Sequence, residues 1–494
     1  MVEVTDTPDA PYELCVIGAG IAGLNALFVA QSYLPKGARV ALVDRKSAPG
    51  GMWTETYDFV RLHQPHPMFT AGNIAWQGSR SRDHLASKSE VLDHFSHCVD
   101  VIRQHMAVES FFRHDLVETT DGAQAVTLRV RSLDGDRPDT TLTAHKVIYA
   151  VGYDVPCPAP LPLSSSAVRS ATPQELDAEL LAATTPIYIA GGGKTAMDAT
   201  LALLAAQPER QVTLLTGPGT IFGNRDRFMP KGLGRWVSGK LFVNVRKDVC
   251  ERFDGTNEDD VFAYFRDTYA HSPIDGGTRH LFGLMSEAEC AAVRNGASLQ
   301  EGYLADVEDG PDGPALVLRD GTQFAIPPGS VVLNCTGHLL HEVPPPPDVL
   351  SPSGRILTIS QSATISFLSS VSAYFLTHLF YLGRLGESRV HVLDLPKLTQ
   401  EGGPRLTQIA IMTQTLLNAL HLSREVPFAV IKDCGLDLDR WFPTPRRLLG
   451  FLRLKRQAPT LIAHCEAALA RVAGRVDATC APMAEIARHP AKAA

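Results

Sequence analysis

Two glycine clusters carry the clearest chemistry in this chain. The first is Gly18-Ala-Gly20-Ile-Ala-Gly23, after the apolar stretch ELCVI, and the second is Gly191-Gly-Gly193-Lys-Thr-Ala, after PIYIA. Between a strand and a helix, the first glycine permits a tight turn and the second lets the backbone approach a pyrophosphate. A third glycine, here Gly23, lets the helix pack closely on the strand. The helix dipole then faces the phosphates, so the clusters predict two dinucleotide sites.

The strand that follows each cluster separates the two sites chemically. Asp44 ends the stretch RVALV, where an acid accepts a hydrogen bond from the adenosine ribose. No acid follows QVTLL; Thr216-Gly217 stands there, with Arg225, Arg227 and Lys231 further on. A nearby arginine accepts a 2′-phosphate, which favours NADPH over NADH. Arg225 is our choice among these cations.

A third motif lies between the clusters. Gly50-Gly51-Met52-Trp53 precedes YDFVRLHQP, which spans residues 57–65. Together with the glycine clusters, these residues resemble the class B flavin-dependent monooxygenases, a superfamily of flavin-containing monooxygenases, N-hydroxylating enzymes and Baeyer–Villiger enzymes. The YDFVRLHQP stretch is similar to the YDxxxLHxP stretch of YUCCA-type members, and the resemblance covers roughly residues 10–340.

The resemblance implies cofactors and roles for particular residues. It implies FAD in the first site, with Gly51, Met52 and Trp53 beside it. It implies NADPH in the second, because GGGKTAMD is similar to the G-x-G-x-S-x-x-D motif of the family. Lys194 and Thr195 then fall in the phosphate-binding turn, and Asp198 is the helix acid.

The implied reaction needs a group near the flavin. His63, with Gln64 second, is our candidate to stabilise or protonate a C4a-peroxyflavin, which survives only where water is excluded. The alternative is that His63 satisfies a structural hydrogen bond. The pairs His63/His66 and His94/His97 lack a third ligand at familiar spacing, so we expect no metal site.

Two departures from the family narrow the expected reaction. The Baeyer–Villiger fingerprint is missing, and SAVRSATPQEL stands in its place, with Arg169 where histidine is usual. The active-site Asp of the Baeyer–Villiger enzymes is also replaced, by His63. Attack on a small substrate with a reactive nitrogen or sulfur, or on a 2-oxo acid, is therefore favoured over ester formation. A reductase or oxidase without oxygen insertion, and a flavin-binding regulatory protein, stay open as alternatives.

These motifs need an α/β scaffold of two Rossmann-like dinucleotide-binding domains, one inserted in the other. We expect a discontinuous FAD domain of residues 1–160 and 306–394, an NADPH domain of 161–305 and a helical C-terminal region of 395–494. Residues 126–152 and 315–337 each show alternating strands around an Asp-Gly turn. The second copy is expected to mark the return to the FAD domain, and Gly337 at its end is counted among the cofactor-binding residues.

Composition bounds the partners and the compartment. The 494 residues carry a net charge of −7, which argues against nucleic-acid binding. The nine cysteines are scattered and never form CxxC, so we expect no disulfide framework and a cytoplasmic protein. The first residues do not resemble a secretory signal. Residues 365–382 are too polar for a confident membrane span, and the basic segment 446–456 is expected to be a solvated helix face. We therefore expect a small-molecule substrate and O2 as partners, without a membrane contact, and leave the oligomeric state open.

Overall fold

The computed structural model describes residues 10–135, 138–152, 157–337 and 348–488. Two parallel sheets of five strands each form the body of these residues. A separate three-stranded antiparallel sheet accompanies each of them. The predicted α/β class with two Rossmann-like folds is confirmed.

The strands of the described residues are numbered in chain order. They are β1 (Leu14–Ile17), β2 (Arg39–Asp44), β3 (Ala107–Phe112), β4 (His114–Asp121), β5 (Val126–Ser132), β6 (Thr140–Ala144), β7 (Val147–Tyr149), β8 (Arg169–Ala171), β9 (Ile187–Ala190), β10 (Val212–Leu215), β11 (Thr220–Asn224), β12 (Ala270–His271), β13 (Arg279–Met285), β14 (Ser298–Gln300), β15 (Leu304–Gly310), β16 (Gly313–Leu318), β17 (Gln323–Ala325), β18 (Val331–Asn334), β19 (Ile356–Thr358), β20 (His391–Leu393) and β21 (Cys480–Pro482).

The α-helices are numbered in the same way. They are α1 (Ile21–Ala30), α2 (Lys88–Arg103), α3 (Ala178–Ala182), α4 (Lys194–Ala206), α5 (Arg225–Phe228), α6 (Gly234–Val237), α7 (Phe242–Cys250), α8 (Glu258–Tyr269), α9 (Glu287–Gly296), α10 (Ser369–Tyr381), α11 (Leu395–Glu425), α12 (Phe428–Asp433), α13 (Thr444–Ala473) and α14 (Met483–Arg488).

The first sheet has the order β19-β7-β1-β2-β3. Strand β1 is buried along its whole length, as expected for a parallel strand covered on both faces. Helix α1 connects β1 to β2, which pair in parallel. The last strand to join, β19, comes from a distant part of the chain, so the chain leaves this sheet and later returns to it.

The second sheet repeats the arrangement in the order β14-β10-β9-β18-β8. Strand β9, helix α4 and strand β10 form its parallel crossover unit. Glycine turns therefore stand at the head of α1 and of α4, where the sequence places them.

The return of the chain to the first sheet differs from the predicted boundary at residue 306. Strand β18 pairs with β8 and β9, and Val307 and Leu316 pack with Tyr188 of the second sheet. Residues 304–334 thus belong to the second fold, and β19 is the strand that rejoins the first. Each fold contains the same antiparallel pattern, so the pattern alone does not reveal which sheet it accompanies.

The C-terminal region is mainly helical, as predicted. Helix α11 is kinked at Gly403, which has a φ of 77° and is followed by Pro404. Helices α11 and α13 pack with α7 and α8 around a second core that contains Phe253, Phe262 and Trp441. The C-terminal helices therefore share a hydrophobic core with helices that lie earlier in the chain.

Two segments with ambiguous sequences adopt defined positions. Within residues 365–382, α10 is largely buried and packs against α1. No helix in the described ranges is long and apolar enough to span a membrane. The basic segment 446–456 lies near the start of α13, where Leu448, Leu449 and Leu452 are more than half exposed. Its solvent face is therefore apolar as well as basic.

Candidate functional site

One cavity of about 2040 Å³ connects the first glycine turn to the C-terminal helices. Gly18, Gly20 and Asp44 line one end of it, and His63 lies further along. Lys194 and Asp198 of the second fold are also in its wall. Residues from both folds therefore face one continuous volume.

The first glycine turn has little room for side chains. Gly18 has a φ of 105°, and a Cβ there would lie 2.5 Å from the carbonyl oxygen of Ala150. A Cβ on Gly23 would lie 1.8 Å from the carbonyl oxygen of Gly18. Gly20 borders the cavity, and its Cβ would meet only Gly51. The turn thus presents bare backbone at the N-terminus of α1.

Asp44 is held at the end of β2 by backbone amides. Its Oδ2 accepts a hydrogen bond from Ala19 N at 2.5 Å and its Oδ1 accepts one from Lys46 N at 2.7 Å. The side chain is buried but lines the cavity. The carboxylate therefore braces the glycine turn and presents its remaining lone pairs to the cavity.

The Gly-Gly motif packs directly on this turn. The amide of Gly50 donates to Ala19 O at 3.0 Å, and Gly51 has a φ of 53°. Met52 is 47% exposed, whereas the ring of Trp53 lies 5.7 Å from that of Phe69. Both Met52 and Trp53 line the cavity.

The second glycine turn repeats the geometry of the first. Gly191 has a φ of 128°, and a Cβ there would lie 2.6 Å from Cys335 O. Gly193 caps α4, and Lys194 forms an ion pair with Asp198 one turn along that helix.

Two more of the predicted cofactor-binding residues lie in the same part of the second fold. Thr195 is half-buried in the first turn of α4. Gly337 stands two residues after Cys335, whose carbonyl contacts the turn. Among the described residues, which stop at Gly337 and resume at residue 348, a Cβ there would meet no atom within 4 Å.

Both helices hold the segment that contains YDFVRLHQP. Asn25 of α1 donates to Thr70 O at 3.2 Å and accepts from Gly72 N at 2.8 Å. Asp198 of α4 accepts from Tyr57 Oη at 3.1 Å. Burial raises the pKa of Tyr57 and that of Asp198. Residues 57–72 are therefore fastened at each end to a different fold.

His63 lies between these two attachments. Its Nδ1 accepts a hydrogen bond from Leu284 N at 3.2 Å, which puts the proton of the neutral ring on Nε2. The carbonyl of His63 accepts from Arg225 at 3.4 Å. His63 and Gln64 both line the cavity. The ring thus has a structural contact through one nitrogen and a proton on the other.

The cations expected near the second nucleotide have other partners. Arg225 pairs with Glu289 at 2.7 Å; burial raises the pKa of Glu289, but the hydrogen bond from Arg225 keeps it below its usual value. Arg227 donates to Thr268 O, and Lys231 pairs with Asp83 at 2.9 Å. Arg225 braces His63 rather than facing the end of β10.

Two other arginines lie near the end of β10. A Cβ on Gly217 would lie 2.8 Å from the ring of Tyr303. The guanidinium groups of Arg279 and Arg319 lie 5.7 and 5.4 Å from the centre of the same ring. Both are exposed, and neither has an acidic partner within the described part of the chain. The sequence does not indicate them because they are distant along the chain from Thr216.

One histidine of each predicted pair, His66 and His94, makes structural contacts. His94 stacks on Trp76 at 4.0 Å and hydrogen-bonds to Thr70 Oγ1 at 2.8 Å. His66 contacts His84 O at 3.2 Å. Among residues 10–135, 138–152, 157–337 and 348–488, no three His, Cys, Asp or Glu side chains are grouped as metal ligands.

Comparison with protein families gives a match to the pyridine nucleotide-disulphide oxidoreductase model over residues 12–244, just under half of the chain. This range includes both glycine turns, which agrees with the predicted two-dinucleotide organisation. Uncharacterized proteins of Mycobacterium tuberculosis and Mycobacterium bovis are 31% identical over 207 residues, or 38% of this chain. The chain spans only 35% of the length of these relatives.

Several solved structures overlap with this chain in part. The FAD-bound cadaverine monooxygenase of Erwinia amylovora is 12% identical, with a TM-score of 0.49 over 76% of this chain and 95% of its own. The polycyclic ketone monooxygenase of Thermothelomyces thermophila is 13% identical, with a TM-score of 0.48 over 92% and 85%. The bacillithiol disulfide reductase of Bacillus cereus is 13% identical, with a TM-score of 0.43 over 76% and 99%.

Proposed function

We propose that this chain is an FAD- and NADPH-dependent monooxygenase that inserts one oxygen atom of O2 into a nucleophilic substrate. The observation that carries the proposal is the shared cavity, which has the first glycine turn at one end, His63 in its wall and Lys194 and Asp198 of the second fold beside them. The family match supports a pyridine nucleotide as one of the two cofactors.

The residues around the first turn fit FAD. Gly20 offers bare backbone at the head of α1, where a pyrophosphate is favoured by the helix dipole. Asp44 would accept a hydrogen bond from a ribose hydroxyl. Gly51, Met52 and Trp53 line the wall beside them, where the flavin ring would lie.

The residues around the second turn fit NADPH. Gly191 and Gly193 would hold its pyrophosphate at the head of α4. Thr216 replaces the acid that would repel a 2′-phosphate. We assign that phosphate to Arg279 and Arg319, beside Tyr303, in place of Arg225.

Bound FAD would supply the reducible ring that passes electrons from NADPH to O2. The chain supplies position and protons. Leu284 fixes the tautomer of His63, so Nε2 holds a proton that it can donate inside the cavity. Asn25 and Asp198 hold the segment on which His63 lies. The walls of the cavity are mainly apolar, which would disfavour water beside the flavin.

Rapid mixing with oxygen tests the function. NADPH-reduced protein mixed with O2 should pass through an absorbance transient distinct from both reduced and oxidised flavin, and substrate should shorten its lifetime. Direct return to oxidised flavin, with one peroxide released per NADPH whatever substrate is present, would instead identify an oxidase or reductase. Bound flavin without NADPH oxidation would identify a regulatory protein.

His63→Ala tests the role of the imidazole. We expect the transient to decay about tenfold faster or more and peroxide release to rise, with FAD still bound, because the proton donor is lost. His97→Ala removes a histidine outside the cavity and should leave both quantities unchanged. An unchanged lifetime in His63→Ala would contradict the catalytic role and leave His63 a structural one, which includes its hydrogen bond with Leu284.

A further inference from the structure

The cavity continues past His63 into an apolar chamber formed by β11, β13, α7 and the C-terminal helices. Its walls are largely apolar, and they include the rings of Phe228, Phe242, Phe265, Phe282 and Phe367. Such walls favour a ligand with a large apolar surface.

A continuous row of side chains leads from His63 into this chamber. Leu284 donates its amide to His63. The side chain of Leu284 and the ring of Phe228 both lie against Gly223, where a Cβ would be 2.7 Å from one and 2.8 Å from the other. Phe228 is therefore the next wall residue after His63.

This row of side chains ends at Arg246, a cation in the cavity wall. The rings of Phe228 and Phe242 are 5.0 Å apart. Phe242 and Arg246 are four residues apart on α7, so they share a face of that helix. Arg246 lines the same cavity. Neighbouring side chains thus connect His63 to a guanidinium group in the wall of the same cavity.

Within the part of the chain that the structure describes, Arg246 is near two carboxylates but pairs with neither. It is half-buried among the walls of the chamber, and this burial lowers its pKa. Among the described residues it forms no hydrogen bond or ion pair, although Asp437 and Asp439 act on it electrostatically. Asp437 is paired with Arg447 at 3.3 Å, and Asp439 accepts hydrogen bonds from two backbone amides of α7.

A charge that is removed from bulk water and has no partner is costly, and proteins keep such groups where a ligand completes them. A guanidinium matches the two oxygens of a carboxylate in a bidentate pair. Asp437 and Asp439 would repel any anion bound there, and a doubly charged phosphate about twice as strongly as a singly charged carboxylate. The chemistry of the site therefore favours a single carboxylate.

We propose that Arg246 binds the carboxylate of an apolar carboxylic acid whose chain lies along the apolar chamber and whose oxidisable atom reaches His63. The proposal rests on the proposed function for the reaction at His63, but the binding itself does not. The cavity wall includes Phe428 and Leu448, which are 71% and 56% exposed, so apolar side chains also border its opening to solvent.

Equilibrium binding to the full-length protein with its cofactor tests the proposal. Decanoate is the probe, measured by isothermal titration calorimetry without NADPH, and decanol and decylamine are its neutral and cationic counterparts. We expect decanoate to bind most tightly. Arg246→Gln should lower the affinity for decanoate by about tenfold or more, since one charge-assisted pair is lost, and should leave the affinity for decanol unchanged.

Two further variants control for structure. Arg246→Lys should retain part of the preference for decanoate, and Arg424→Gln, which removes an exposed arginine of the same cavity, should change nothing. Equal affinity for decanoate and decanol, tighter binding of decylamine, or the same decanoate affinity in Arg246→Gln would overturn the proposal. The binding measurement needs no turnover, so it tests the role of Arg246 separately from the reaction. If decanoate binds through Arg246 but the protein transfers no oxygen, the proposed function is refuted and the binding site is not.

Discussion

The two glycine-turn folds have the same backbone and different side chains around it. Gly20 and Gly193 cap their helices with φ/ψ of −80°/−174° and −81°/−174°. The amides of Gly18 and Gly191 each donate to a carbonyl at the end of the neighbouring parallel strand, at 2.8 and 3.0 Å. The glycine turn is therefore a property of the backbone, and what distinguishes the two proposed nucleotide sites must lie in the residues around it.

The side chains differ at two equivalent places. At the end of the second strand, Asp44 in the first fold corresponds to Thr216 in the second, next to the hydrogen bond that closes each turn. In the second turn of the helix, Asn25 corresponds to Asp198, and each fastens part of residues 57–72. We propose that the first difference selects a nucleotide, whereas the second fixes the segment that carries His63.

Substitutions at Asn25 and Asp198, the equivalent helix residues, should have the largest effect on stability. Asn25 donates to Ile21 O and Thr70 O, so Asn25→Asp would place a buried carboxylate against two carbonyl oxygens. We expect the free energy of unfolding to fall by about 4 kcal/mol. Asp198→Asn should cost about 1 kcal/mol, because Lys194 is partly exposed and can be solvated. Urea unfolding measures both, and equal losses would contradict this account of the two positions.

The second-largest effect is expected at Gly23, whose counterpart in the second fold is Ala196. Gly23→Ala places a Cβ 1.8 Å from Gly18 O, which forces α1 away from β1. We expect a loss of about 3 kcal/mol in the free energy of unfolding, together with loss of bound FAD during purification. Gly386→Ala, where a Cβ meets nothing within 4 Å, is the control. FAD retained in full by a stable Gly23→Ala protein would show that α1 can shift without affecting the site.

The first fold should also be the more acid-sensitive one. Burial lowers the pKa of His94 to about 3 and that of His378 to about 4. In the unfolded chain histidine titrates near 6.5, so unfolding takes up protons between about pH 6.5 and those values and stability falls as pH falls. Each histidine should cost about 2 kcal/mol at pH 5 relative to pH 8.

Replacing one histidine isolates its share of this pH dependence. His94→Gln should lower by about 2 kcal/mol the difference in unfolding free energy between pH 8 and pH 5, whereas Ser96→Ala on the same helix should preserve it. If the difference persists in His94→Gln, the acid sensitivity has another source.

The glycine turns are predictable because their requirements are local. Spacing along the chain defines a strand, a turn and a helix, and Asp44 follows from the next strand. The same reasoning assigns residues 315–337 to the first domain, although they accompany the second sheet. Strand alternation indicates an antiparallel sheet but carries no information about which parallel sheet lies beside it.

The residues that the sequence does not reveal act across large separations. Asn25 is hydrogen-bonded to residues 70–72. Arg279 lies beside the ring of Tyr303, which in turn lies next to Gly217. Arg246 lines the cavity from a helix that contains no recognisable motif. Arg225 is close in sequence to the strand end, yet Glu289 holds it elsewhere. Cations bind a phosphate by their position in space, so proximity along the chain is a weak guide to them.

The nucleotide preference gives the last test of the comparison. Arg279→Gln should lower the ratio of kcat/KM for NADPH to that for NADH about tenfold, because a charge-assisted contact to the 2′-phosphate is lost while the rest of the nucleotide is held as before. Arg225→Gln should leave that ratio unchanged, whatever it does to the rate. The converse result, with the ratio lowered by Arg225→Gln and not by Arg279→Gln, would return the 2′-phosphate to the residue that the sequence alone favours. Steady-state kinetics with both nucleotides therefore decides whether the second fold selects its cofactor at the strand end, as Asp44 is proposed to do in the first.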